Sequence, residues 1–277
     1  MAGMEAGPGV PLHSAYREYL PPASLAGSVV CFWTQAIHGG QAGVYRQAVL
    51  PDGCVDIVWF EEGGAIVAGP ATRRVDVDLC AGSRLSGVRF YPGAASRYLG
   101  LPLRELCNRE ICLGHLWGPS APGYADIFHD RETGRDAFRH IEAELASRAA
   151  DRHAPDGLVR AAVNWLAANP GGRIRDLARM LDLGERQLHR RFTGAVGYGP
   201  KKLQQIMRLQ KMLEFETKVG PDGGMADIAA QLGYADQAHM CREVLALTGK
   251  TPGGLISHDG SALALSDLFN TADSRDV

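Results

Sequence analysis

The stretch GRIRDLARMLDLGERQLHRRF, residues 172–192, decides how the C-terminal half of this chain is read. Ile174, Leu177, Ala178 and Leu181 recur at i, i+3, i+4 and i+7, which lays them along one face of a helix. A short break follows at Asp182–Gly184. A second helix is expected to begin near Glu185, with Leu188 and Phe192 one turn apart and facing inward. Arg186, His189 and Arg190 share a different face of that helix, with Gln187 beside them. Two short helices joined by so tight a turn have the pattern of a helix-turn-helix, whose second helix enters the DNA major groove.

The pattern occurs twice. In MADIAAQLGYADQAHMCREVLALTGKTP, residues 225–252, Ile228, Ala229 and Leu232 form the inward face of one helix. Gly233 suits the turn because it tolerates positive φ, and Asp236 is placed to cap the next helix. Met240, Val244 and Leu247 form the inward stripe there, while Gln237, Ala238, His239 and Arg242 fall elsewhere on its surface. Asp176-Leu177-Ala178 matches Asp227-Ile228-Ala229, Leu188 and Phe192 match Met240 and Val244, and the second turn is one residue longer. Between the units, PKKLQQIMRLQKMLEF (200–215) predicts one long helix with Leu203, Ile206 and Leu213 on it and Lys201, Lys202, Arg208 and Lys211 as its basic residues. Such a helix would set the distance between the two recognition helices. A single helical hairpin is common structure. Its recurrence in tandem, with polar hydrogen-bonding residues on both second helices, points to DNA.

Charge agrees with that division. The chain has 29 Lys+Arg and 31 Asp+Glu among 277 residues, a formal net charge of −2, but residues 157–257 hold 14 basic against 9 acidic and the remainder 15 against 22. A basic region beside an acidic remainder suits a polyanion partner for one part only. No run approaches the roughly 18 apolar residues of a membrane span, and MAGMEAGPGVPLHSAY has no basic cluster followed by an apolar run. A cytoplasmic location is therefore expected.

Residues 28–93 are expected to be β-rich: SVVCFWTQAI, VDIVWF, AIVAG, RVDVDL and SGVRFY are separated by Pro/Gly/Asp punctuation, as in a barrel or sandwich. Helical pieces follow from Ala94, including a 134–150 segment in which Phe138, Ile141 and Leu145 form one apolar stripe. The chain thus reads as α+β: an N-terminal β-barrel-like regulatory, effector or dimerisation domain with helices (1–150), a polar linker (151–156), an all-α double helix-turn-helix domain (157–257) and a tail expected to fray (258–277). Trp33, Trp59 and Arg89 are candidate effector-binding residues, although inward aromatics mostly pack.

Residues about 157–257 resemble the arabinose-regulator (AraC/XylS) class of transcription factors. The resemblance lies in L-A-x-x-L of the first unit, the R-Q-L-H-R-R-F helix, Gly197-Tyr198-Gly199-Pro200, Ile228-Ala229, Leu232-Gly233-Tyr234 and Thr248-Gly249-Lys250-Thr251-Pro252. It implies that Arg186, Gln187, His189 and Arg190 reach one major-groove segment and Gln237, Ala238, His239 and Arg242 the next. Lys201 and Lys202 are expected to contact phosphates, independently of sequence. The chain departs from the class where Asp182 stands for a usual turn glycine, Met240 and Val244 for residues often Phe, and Gly253-Gly254-Leu255 for a more polar ending. Leu50–Asp56, Val67–Pro70 and Gly87–Ala94 are similar to an uncharacterised domain often fused to such regulators, which implies a barrel-like module with an unknown ligand.

The expected partners are promoter or operator double-stranded DNA, a small-molecule effector, a second copy of the chain and RNA polymerase. No cofactor, metal or catalytic residue is expected. Cys107, Cys112 and His115 lack a fourth zinc ligand at a recognisable spacing, and the six scattered cysteines read as small apolar residues. A metal-dependent β-barrel enzyme would need converging histidines, and none occurs between Gln41 and His115. Asp52 and Asp56 could pair as acids, but aspartate in a PDG turn more often serves backbone geometry. TGKT at 248–251 lacks the spaced glycine of a phosphate loop. A pure interaction module would explain the acidic N-terminal part but not the duplicated motif.

Overall fold

The computed structural model describes residues 11–40, 43–119, 121–123, 138–150, 152, 154–219 and 224–256. The 258–277 tail and residues 134–137 of the expected 134–150 helix lie outside them.

Among the described residues the N-terminal half holds eight strands: β1 (His13–Tyr19), β2 (Val29–His38), β3 (Val44–Val49), β4 (Val55–Phe60), β5 (Ala65–Ala68), β6 (Val75–Cys80), β7 (Arg84–Phe90) and β8 (Glu110–Cys112). Six form one sheet in the order β1-β2-β7-β4-β5-β8, and β3 pairs with β6 in a separate ribbon. All pairings are antiparallel. The barrel-like expectation is thus met by an open arrangement of sheet and ribbon that does not close.

Strand alternation explains why β2 and β4 read as nearly continuous apolar runs. Side chains on a strand point alternately to its two faces, and here both faces are covered. Val29, Phe32, Val55, Ile57, Trp59, Val88 and Phe90 pack on one side against the helices α1 (Ser96–Leu99), α2 (Leu113–Trp117) and α3 (Arg139–Ala150). Cys31, Trp33, Ile37, Val58 and Leu85 face the other way, toward Tyr45, Val77 and Leu79 of the ribbon. Phe138 at the start of α3 stacks on Phe32 at 4.9 Å, and Ile141 and Leu145 are fully buried. The stripe read from sequence therefore packs on the sheet of its own chain.

The C-terminal half is helical: α4 (Gly157–Ala168), α5 (Ile174–Met180), α6 (Glu185–Val196), α7 (Pro200–Val219), α8 (Met225–Gln231), α9 (Gln237–Thr248) and α10 (Pro252–Ile256). Leu177, Ala178, Leu188, Phe192, Ile228, Ala229, Leu232, Met240, Val244 and Leu247 share one buried cluster with Leu203 and Ile206 of α7. The i, i+3, i+4 pattern is thus an accurate map of this core. Asp156 caps α4 by accepting from Leu158 N at 3.0 Å and also pairs with Arg191 of α6 at 2.8 Å.

Candidate nucleic-acid interface and effector cavity

Helices α5 and α6 form one helix-turn-helix, and α8 and α9 the other. Four residues separate the first pair and five the second. The turns reach the same geometry by different residues: Asp182 has φ 52° and Gly233 φ 72°. Aspartate is among the few non-glycine residues that visit this left-handed region readily, so the missing turn glycine costs little. Asp236 caps α9, its Oδ1 accepting from His239 N at 2.6 Å.

On α6, Arg186, Gln187, His189 and Arg190 are exposed around the buried Leu188. On α9, Gln237, Ala238 and Arg242 are exposed. His239 is half-buried: its ring stands edge-on to Tyr234 at 5.5 Å, and its Nε2 lies 3.8 Å from Glu243. Arg186, Arg190 and Arg242 have no ion pair or side-chain hydrogen bond among the described residues. Arg186, His189, Lys201 and Lys202 line one shallow concavity where α6 meets the start of α7. Lys201 Nζ donates to Gln204 at 2.8 Å, and burial, with Arg208 nearby, lowers its pKa. Lys202 makes no such bond.

Arg208 does not belong to the basic surface that its place on α7 suggests. It is buried, and it clamps α7 to α9: Nε donates to Glu243 Oε1 at 3.0 Å and Nη2 to Oε2 at 2.6 Å. The side chains are 3% and 5% exposed, and the guanidinium lies 4.4 Å over the Tyr234 ring. Periodicity places a residue on a face, but charge type alone cannot tell a solvated arginine from one with a buried carboxylate partner on another helix.

The space between the six-stranded sheet and the β3–β6 ribbon is a cavity of about 430 Å³. Most of its wall is apolar, including Val58, Phe60, Ile66, Val77, Leu79 and Leu85. Its polar groups include the strand residues Gln35, Gln47, Asp56 and Arg89, the turn residue Asp52, and Asn108, Arg109 and Glu110. Arg89 Nε donates to Asp56 Oδ1 at 3.1 Å, Trp33 Nε1 donates to the same oxygen at 2.8 Å, and Asp52 Oδ2 lies 3.9 Å from Arg89. Burial raises the Asp56 pKa against the opposing pull of Arg89. For Arg89, burial disfavours the charge, but Asp56 and Asp52 more than reverse this and raise its pKa. Gln35 and Gln47 line the same space and hydrogen-bond to each other.

Trp33 and Arg89 therefore meet at the cavity, but Trp59 does not. Trp59 has the opposite parity on β4 to Asp56 and Val58, so it faces the helices, is fully buried, and donates to Pro122 O at 3.0 Å. Asp52, Asp56, Gln35 and Gln47 were not singled out as cavity residues. The available signal was an aspartate inside VDIVWF and an arginine inside SGVRFY, polar interruptions of equal parity on neighbouring strands. Asp52 keeps its backbone role as well, accepting from Cys54 N at 2.8 Å.

One turn, Pro51–Gly53, touches both halves. Pro51 O accepts from Gln210 Nε2 of α7 at 2.7 Å in a buried bond. The φ of 87° at Gly53 favours glycine, and a Cβ there would lie 2.7 Å from Leu203 Cδ1, so a larger residue would also have to push that side-chain tip aside. Arg74 N also donates to Leu247 O at 2.7 Å, and Cys107 packs against the helical core.

Residues 17–112 match a domain of unknown function (DUF6597), and residues 177–257 match a helix-turn-helix domain family. No curated protein matches the chain. Among solved structures it is similar to ToxT from Vibrio cholerae, at 10% identity over 88% of this chain and 97% of that one, with a TM-score of 0.43. A structure of unsaturated fatty acid bound wild-type ToxT from Vibrio cholerae strain SCE256 is 11% identical, over 92% and 97%, with a TM-score of 0.39. Among the described residues no helix is long and apolar enough to cross a membrane. Two helix-turn-helix units in tandem on one scaffold thus coincide with the residues that match a helix-turn-helix domain family, and they are joined to residues that match a domain of unknown function.

Proposed function

We propose that residues 157–257 read promoter or operator DNA with α6 and α9 in successive major-groove segments, and that residues 1–150 regulate that binding through a small effector held between sheet and ribbon. The observation that carries the reading is the pair of exposed recognition faces, each with an arginine that has no protein partner among the described residues, held on one buried core. The 20 residues of α7 span about 30 Å, close to the ~34 Å between major-groove segments on one face of B-DNA.

On this reading Arg186, Gln187, His189 and Arg190 meet one set of base edges and Gln237, Ala238 and Arg242 the other, with His239 nearer the protein. Lys202, and Lys201 once released from Gln204, take phosphates. The effector acts through the Pro51–Gly53 turn as well as the 134–156 connection. A second copy of the chain and RNA polymerase are further partners, the place of action is the cytoplasm, and the chain acts by binding rather than catalysis. The test is a gel shift of the full chain on DNA upstream of its own gene. Preference for that DNA over random sequence, reduced in Arg190→Ala, is expected; equal affinity for both in the unaltered protein refutes sequence-specific regulation.

A further inference from the structure

The cavity wall has more to offer a ligand than apolar area. Arg89 is 8% exposed, and a guanidinium carries five N–H donors. Only its Nε donates to a protein group, which leaves both Nη nitrogens without an acceptor among the described residues. Gln35 spends its amide N–H groups on Ser14 and on Gln47 Oε1, the Gln47 amide nitrogen has no acceptor among the described residues, and Gln47 is 6% exposed. Asp52 Oδ1 is taken by Cys54 N, while Oδ2 has only Arg89 at 3.9 Å. These atoms are not sealed from the cavity space, so a ligand acceptor can reach the donors without first displacing a protein partner, with the Asp52 acceptor beside them.

Charge then selects among acceptors. Arg89 already stands between two carboxylates. A ligand carboxylate would bring a further negative charge into a largely apolar space beside two carboxylates, and the other cation on the wall, Arg109, is exposed and stands next to Glu110. A ligand ammonium would stand beside Arg89 and supply no acceptor to its N–H groups. An uncharged carbonyl flanked by an N–H satisfies both sides and leaves the charge balance unchanged.

We propose, resting on the effector reading above, that this cavity takes an uncharged, mostly apolar molecule with a carboxamide-like head, its carbonyl oxygen accepting from Arg89 and its N–H donating to Asp52. Tyr16, Trp33 and Phe60 on the wall suit an aromatic body.

The test uses three probes with one body and different heads: hydrocinnamamide, hydrocinnamate and phenylpropylamine. Binding to the full chain is measured by calorimetry at millimolar concentration, and DNA affinity is compared between the unaltered protein and Leu79→Trp, which fills the cavity from the ribbon. The amide is expected to bind at least about tenfold tighter than either charged probe, and to lose about tenfold or more in Arg89→Met. A tighter acid shows that Arg89 reads a carboxylate, and a tighter amine that the aspartates read a cation. Either overturns the proposed class and leaves the effector reading standing. Binding by none of the three, with Leu79→Trp altering DNA affinity, also overturns the class alone. Binding by none, with DNA affinity unchanged in Leu79→Trp, removes both readings.

Discussion

Glu243→Ala tests whether a buried charge pair holds the second recognition helix in place. The substitution leaves the Arg208 guanidinium, 3% exposed, without the carboxylate that accepts two of its hydrogen bonds. Removing one partner of a buried pair costs about 3–5 kcal/mol, because the remaining charge is neither solvated nor neutralised. At roughly 2–4 °C per kcal/mol for chains of this order of size, Tm should fall by about 6–20 °C. The double variant Arg208→Met/Glu243→Leu removes both charges and fills the same space, so it should melt near the unaltered protein or above it. Thermal melts of the full chain supply the numbers, and footprinting shows where the effect lands. Glu243→Ala should lose protection on the segment read by α9 while retaining that read by α6. A Glu243→Ala melt within about 2 °C of the unaltered protein refutes the clamp, as does a double variant that falls as far as the single one.

Arg190→Ala and Arg242→Ala should each lose about 1–3 kcal/mol of discrimination at one position of the site, seen in competition gel shifts; equal losses on random DNA would assign these arginines to phosphates. Lys202→Ala should instead weaken binding to all sequences and reduce the slope of log K against log salt by about one. Inserting five base pairs between the two segments should abolish high-affinity binding, and unchanged affinity would show that only one unit engages DNA. Gly53→Val combines a φ of 87° with a Cβ 2.7 Å from Leu203 Cδ1, so a loss of about 1–3 kcal/mol is expected in chemical denaturation. A neutral result would mean that the turn is free to move away from α7.

The helical half was legible because its decisive information is local. Apolar residues three and four apart define a face, and Asp236 and Gly233 mark a cap and a turn within a few residues. The N-terminal half depends on which strands meet, and that is not local. The strands β2, β4 and β7 stood out as apolar runs. Edge strand β1, with its alternating exposure, and the three-residue β8 did not. The cavity shows the same limit. Trp33 and Trp59 look alike as tryptophans in apolar runs, and only the pairing of Trp33 with Gly87 and Trp59 with Ser86 puts them on opposite faces. The Arg89–Asp56 pair likewise follows from β4–β7 register, which the sequence of either strand alone does not contain. The burial of Arg208 was not legible for the same reason, since its partner lies 35 residues away on another helix.

The contacts at the Pro51–Gly53 turn are of the right size to carry regulation. Coupling between an effector and DNA is typically 1–3 kcal/mol, or about 5–150-fold in affinity, and it requires that the effector favour one conformation over another. Asp52 faces the cavity beside Arg89, while its neighbour Pro51 accepts a buried hydrogen bond from Gln210 on the helix that spaces the two recognition helices. A bond of that kind contributes about 0.5–1.5 kcal/mol net, so gaining or losing it alone corresponds to roughly 2–10-fold in DNA affinity. A ligand head that draws Asp52 toward the cavity therefore need displace the turn only enough to break one hydrogen bond. Gln210→Ala should then lower the dependence of DNA affinity on cavity occupancy, as set by Leu79→Trp, while leaving sequence preference unchanged. An undiminished effect of Leu79→Trp in the Gln210→Ala background would place the coupling in the 134–156 connection instead.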